Sequence, residues 1–156
     1  MTFSRWYELQ KLYDDYASVL DDGPLSNWPD FFTEQCLYMI QPRDNYDKDL
    51  PLAVMRCESR GMLQDRVRAV EETIMYEPRY LRHHITNVSA EDLHGDEFRV
   101  KANYTVIQVL QDELPQILST GRYLDQIVRE HGVLRFKQKR VVYDSVLVPN
   151  SLIFPL

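Results

Sequence analysis

Glycine is scarce in this chain of 156 residues: there are five, and no two are adjacent. A phosphate-cradling loop needs several glycines at short spacing, so nucleotide binding has no support. No Gly-x-Ser-x-Gly elbow occurs, and neither cysteine stands beside a histidine in sequence. Apolar runs are short, and the opening Met1-Thr2-Phe3-Ser4-Arg5-Trp6 lacks the apolar centre of a signal peptide. A soluble, cytoplasmic protein is expected. A basic excess is missing too: the formal net charge is −6 and the pI about 5.2, which argues against a nucleic-acid partner. The densest basic run, Arg135 to Arg140, alternates with other residues and reads as one solvated strand face.

Cysteine is limited to Cys36 and Cys57, both among strand-like residues. In a reducing compartment they read as small buried hydrophobes, with no disulfide expected. Histidine is limited to four, at His83, His84, His94 and His131. A Rieske cluster takes two cysteines and two histidines in short pairs, and no histidine lies near either cysteine. A mononuclear iron site wants two histidines and a carboxylate at one point. Adjacent strand residues point to opposite faces, so His83 and His84 do not serve one metal together. No metal site is expected.

The chain has ample apolar content, 44%, for one core and reads as a single domain over residues 1–156. Trp6, Leu9, Leu12, Tyr13, Tyr16, Val19 and Leu20 trace one helical stripe, which Gly23-Pro24 ends. A second short helix is predicted over Leu25 to Phe32 with Ser26-Asn27 as its cap. Asp14-Asp15 and Asp21-Asp22 are neighbours on a helix, do not share a face and read as solvated. Two short strands, Cys36 to Ile40 and Leu52 to Met55, flank a polar turn and could pair as a hairpin. Helical spacing returns at Met62, Leu63, Val67, Val70, Ile74 and Met75, ending before Pro78. Four long strands follow at Arg82 to Asp92, Phe98 to Gln111, Gln116 to Glu130 and Val133 to Val148, with turns at His94-Gly95-Asp96, Asp112 to Pro115 and His131-Gly132. Phe98, Val100, Ala102, Tyr104 and Val106 alternate with polar residues, the mark of a sheet covered on one face. Helices first and antiparallel strands last imply an α+β fold, N-terminal helices packed on a strongly curved, mostly antiparallel sheet. Such a sheet could enclose an acid-base pair of His83 or His84 with Asp125 and Tyr104, giving a free-standing dehydratase or isomerase, or could hold a small hydrophobic ligand.

Several segments then form a recognisable series: Trp28-Pro29-Asp30-Phe31-Phe32 after an acidic helix end, Asp65-Arg66-Val67, Arg82-His83-x-Ile85-x-Asn87-Val88, Gly121-x-Tyr123-x-Asp125, and Phe136 to Asp144. In this order the chain resembles the small (beta) subunits of Rieske-type aromatic-ring-hydroxylating oxygenases. Thr86 replaces the serine of the family's Arg-His-x-x-Ser-Asn-Val pattern, and His84 stands where relatives carry an aliphatic residue. Gln41-Pro42-Arg43, Leu50-Pro51-Leu52 and the ending from Val148 are most similar to small subunits of salicylate 5-hydroxylase, then of terephthalate dioxygenase. The resemblance implies the cone fold of nuclear transport factor 2 and a non-catalytic subunit with no cofactor of its own. The Rieske [2Fe-2S] cluster and mononuclear Fe(II) would belong to a large (alpha) partner in an α3β3 assembly fed by ferredoxin and an NADH-dependent reductase. It further implies scaffold or subunit-contact roles for Arg82, His83, Asn87, Arg122, Tyr123, Asp125, Arg135, Arg140 and Asp144.

Overall fold

The computed structural model describes residues 1–72, 75–147 and 152–156. Helix α1 (Phe3–Asp21) is capped by Thr2, whose hydroxyl accepts from the Arg5 amide at 3.4 Å. Its buried stripe of Leu9, Leu12, Tyr13, Tyr16 and Leu20 follows the predicted one, with Trp6 and Val19 at its margins only half-buried. The next segment, Leu25–Phe31, is a 3-10 helix in place of the expected α-helix. Pro29 removes an amide from its interior, and Pro24, not Ser26 or Asn27, occupies the cap position.

Strand β1 (Phe32–Pro42) outruns its predicted length, and the expected polar turn begins as a short helix, α2 (Arg43–Asp47). β2 (Met55–Cys57) pairs antiparallel with β1, as foreseen, but lies further along the chain than Leu52 to Met55. Leu52 and Val54 are exposed, whereas Met55 and Cys57 are buried, so the strand forms where alternate side chains reach the core. After α3 (Arg60–Glu72), the strands β3 (Arg79–His94), β4 (Glu97–Leu110), β5 (Gln116–Glu130) and β6 (Val133–Tyr143) run as an antiparallel meander. α3 runs to Glu72 and β6 to Tyr143, short of the expected ends before Pro78 and at Val148: Met75 is in no helix and residues 144–147 are in no strand, while Ile74 and Val148 themselves fall outside the described residues. The hairpin turns take left-handed backbone at His94, Gly95, Asp96, Asp112, His131 and Gly132.

The sheet order is β2-β1-β6-β5-β4-β3, and the β1 to β6 pair is parallel. One face of this six-stranded, curled sheet wraps α1 and the 3-10 helix. Inside, Trp28, Tyr13, Tyr16, Tyr38, Tyr104, Tyr123, Phe32 and Phe136 are all essentially shut off from solvent. Edge-to-face pairs such as Trp28 with Tyr38, at 5.0 Å between centroids, tie them together. Leu156 is buried in this group, with Leu152 and Phe154 packed against it. The Leu156 carbonyl accepts from the Tyr16 and Tyr38 hydroxyls at 2.9 and 3.2 Å. Cys36 and Cys57 are free and buried. Among the described residues, no helix is long and apolar enough to cross a membrane.

Candidate functional site

Strand alternation sorts the predicted site residues onto two faces. His83 turns inward and His84 outward, as adjacent strand residues must. The partner of His83 is a residue read from sequence as solvated: Asp21, at the end of α1, has a side chain only 10% exposed. One Asp21 carboxylate takes both the His83 backbone amide, at 2.9 Å, and ring Nδ1, at 2.6 Å. A carboxylate accepts, so the ring hydrogen sits on Nδ1. Next to it, exposed Arg82 pairs with Asp22 at 2.9 Å. Two acids at a helix C-terminus oppose the helix dipole. Here they pin that end to β3, which explains why an acidic helix end and an Arg-His strand occur in one chain. Asp21→Ala leaves two buried donors without an acceptor and is expected to cost about 2–3 kcal/mol, read by chemical denaturation; a loss below about 0.5 kcal/mol would show the contact to be unimportant.

Asn87 marks a bulge in β3: Thr86 opposes Asn103 and Ser89 opposes Lys101, leaving one extra residue on β3. Its φ of 54° is left-handed backbone, which asparagine tolerates better than branched residues.

Two residues for which the resemblance implies scaffold or contact roles lie in the core, where only the scaffold role is open to them within this chain. Tyr123 is fully buried and stacks on Tyr104, with centroids 4.6 Å apart and planes within 7°. Asp125 is buried as well, 2% exposed. Both alternate with the outward-facing Arg122 and Leu124, so strand period sends them inward. The acid-base pairing of His83 or His84 with Asp125 does not form: His83 meets Asp21, and Tyr104 hydrogen-bonds Ser119 at 2.9 Å.

Asp125 is held by Tyr13, whose hydroxyl donates at 2.6 Å, and by Lys139, at 3.0 Å. Lys139 belongs to the basic run read as solvated, yet its exposure is 0%. A β6 bulge is the cause: Gln138 opposes Gln126 while Phe136 opposes Ile127, so Lys137 is an extra residue and parity flips beyond it. Phe136 and Lys139, three apart, then share the inner face. Aromatic rings box the ammonium: Tyr123 lies 3.4 Å from it to the ring centroid, Tyr16 and Phe136 4.6 Å each, and Tyr13 5.0 Å. Such cation-π contacts strengthen when water is excluded. Burial lowers the Lys139 ammonium to about 8, against the pull of Asp125, and raises the Asp125 carboxyl from its ordinary value, against the pull of Lys139. The only sequence signal for this cluster was the aspartate of Gly121-x-Tyr123-x-Asp125, because a bulge leaves no mark in periodicity.

Arg135 is consumed within the chain, donating to the Asp30 carbonyl and pairing with Glu130 at 3.4 Å. Asp144 pairs with Arg43 at 3.0 Å. Arg122 and Arg140 remain on the outer sheet face without an ion pair among the described residues. The residues present do not suit a Rieske cluster: burial pushes the Cys36 thiol up to about 11 and raises Cys57, disfavouring thiolate ligands. His83 is committed to Asp21. Among the described residues, no three His, Cys, Asp or Glu side chains gather to hold a metal ion.

Comparison with known proteins agrees with this architecture. A family model described as the ring hydroxylating beta subunit matches residues 16–150. The anthranilate 1,2-dioxygenase small subunit of Burkholderia cepacia is 34% identical over 151 residues, covering 97% of this chain and 94% of that protein. A terephthalate 1,2-dioxygenase terminal oxygenase beta subunit from Comamonas sp. is 28% identical, covering 90% and 92%. A crystal structure described as the beta subunit of an aromatic-ring-hydroxylating dioxygenase from Novosphingobium aromaticivorans superposes with a TM-score of 0.85 at 32% identity, covering 95% of this chain and 94% of that one. The match over residues 16–150 and the 34% identity across nearly the whole of both chains show that this chain belongs to the ring-hydroxylating beta subunit family.

Proposed function

We propose that this chain is a non-catalytic structural subunit of a multicomponent oxygenase that hydroxylates a small aromatic carboxylate, with salicylate to gentisate as the specific reaction. One observation carries the structural role: the cone interior, where a free-standing enzyme of this shape needs substrate, is occupied by Lys139, Asp125 and stacked rings. The substrate class rests on relatives named for anthranilate and terephthalate, both ring carboxylates. Anthranilate resembles salicylate closely, with an ortho amine where salicylate has a hydroxyl. In this reading the large subunit holds the Rieske cluster and the iron, ferredoxin and an NADH-dependent reductase supply electrons, and the cytoplasmic complex is α3β3.

The test is co-expression with the large subunit. A stable, brown, iron-containing complex should hydroxylate salicylate when given reductase, ferredoxin, NADH and dioxygen, one oxygen atom entering the ring and the other leaving as water, while the small chain alone is colourless and inactive. Turnover by the isolated chain, or no co-purification with the large subunit, would sink the structural role. Turnover of anthranilate or terephthalate but not salicylate would leave that role standing and reassign the substrate.

A further inference from the structure

The outer sheet face carries positive charge that the chain does not neutralise. Lys101, Leu124, Arg140 and Met39 form one cross-strand row, and Arg122 lies in the next, between Asn103 and Val142. Among the described residues, Lys101, Arg122 and Arg140 have no ion pair, although neighbouring Arg99 pairs with Glu91 at 2.8 Å. The Nε atoms of Arg122 and Arg140 are shielded from solvent and have no hydrogen-bond acceptor. The Nε atoms of Arg66 and Arg135 are in the same position, but those guanidinium groups bind the Leu152 and Asp30 carbonyls through their other nitrogens, whereas among the described residues Arg122 and Arg140 have no side-chain partner at all, which is unfavourable for a shielded donor.

The shape agrees with the charge. A groove of about 540 Å³ lies between α2 and the outer faces of β4, β5 and β6, lined among others by Tyr46, Lys101, Leu124 and Arg140, with the acidic Asp47 and Asp49 also on its wall. Arginine and tyrosine around a half-buried leucine have the composition of a protein interface rather than of a small-molecule pocket. The whole chain is acidic, net −6, so a basic row on one face is opposite to its average charge.

We infer that the outer face of β4 to β6 is the docking surface for the large oxygenase subunit, and that Asp or Glu carboxylates of that subunit pair with Lys101, Arg122 and Arg140. The inference rests on the function proposed above and names the surface that serves it. The carboxylates would satisfy the two orphaned Nε donors, and Leu124 and Tyr46 would be covered at the same time.

The experiment co-expresses the full-length chain with the large subunit and compares wild type with the double variant Arg122→Glu and Arg140→Glu. Expected is a complex weakened roughly 100-fold or more, while the melting curve and self-association of the isolated small subunit are unchanged. Wild-type affinity should fall as salt rises, and the variant's should not. If the reversal disturbs folding, the Arg122→Gln and Arg140→Gln pair, which keeps side-chain length, should weaken the complex about 10-fold. Wild-type affinity in either folded double variant would overturn the inference and leave the subunit role intact. So would a variant that keeps the large subunit but no longer self-associates, since that would make the face a contact between copies of this chain. If wild type captures no large subunit, the underlying function fails, and the inference with it.

Discussion

Replacing Lys139 by methionine should destabilise the protein by about 3–5 kcal/mol, even though methionine fills similar space and is apolar. The substitution strands Asp125, which is 2% exposed and would keep one strong partner, the Tyr13 hydroxyl at 2.6 Å. A buried carboxylate that loses its cation must be protonated or drag water inward, and both oppose folding. The double variant with Asp125→Asn should recover most of the loss, because no uncompensated charge remains. Urea denaturation of the wild type, the single variant and the double variant reads this directly; a single variant within 1 kcal/mol of wild type would show that the pair contributes little. The same pair sets a pH signature. Lys139 in the fold titrates near 8, below its ordinary 10.5. Between those values the unfolded chain holds a proton that the folded chain has released, so stability climbs with pH through that window and is lost as pH falls through 8. Above pH 10 the buried tyrosines Tyr13 and Tyr123, held well above their ordinary value by burial, oppose the climb. The methionine variant should show no rise between pH 8 and 10.

Gly121→Ala should be comparably severe. At this point β5 passes so close to β6 that an added Cβ would overlap the Val142 carbonyl oxygen and lie 2.8 Å from the Tyr143 Cα. The obstructing atoms are backbone, so no rotamer change relieves them, and the strands must part. A cost of about 3 kcal/mol or more is expected. Near-UV circular dichroism should change as well, since Tyr143 faces Gly121 and the Tyr104 to Tyr123 stack lies alongside. An alanine variant with wild-type stability and an unchanged aromatic spectrum would refute the close-approach account. This glycine needs hydrogen as its side chain because of distance, not because of backbone angle.

Periodicity made α1, the long strands and the hairpin turns legible, because each repeats a local pattern many times. It missed what depends on an offset or on distant partners. The β6 bulge turned Lys139 inward, and no alternation count could see one extra residue at Lys137. Asp21 read as solvated because its partner, His83, is 62 positions away. Gly121-x-Tyr123-x-Asp125 carries its named residues on the inner face, and strand alternation sends Arg122, an unspecified position of that motif, to the outer one. The motif order disclosed the family, and the same motifs proved to be structural devices: a clasp, a bulge, a close approach and a buried ion pair.

The parallel pairing of β1 with β6 has a consequence for how the chain reaches this state. β3 to β6 can zip as successive hairpins between near neighbours, whereas β1 finds its partner only about a hundred residues later, Ile40 against Val141. Closing so long a loop is entropically slow, and the contact order of the whole rises with it. On the ribosome, the first strand must wait with one edge unpaired until the last strand has emerged. That interval is when the chain is most open to mispairing, and it ends only when β6 has been made.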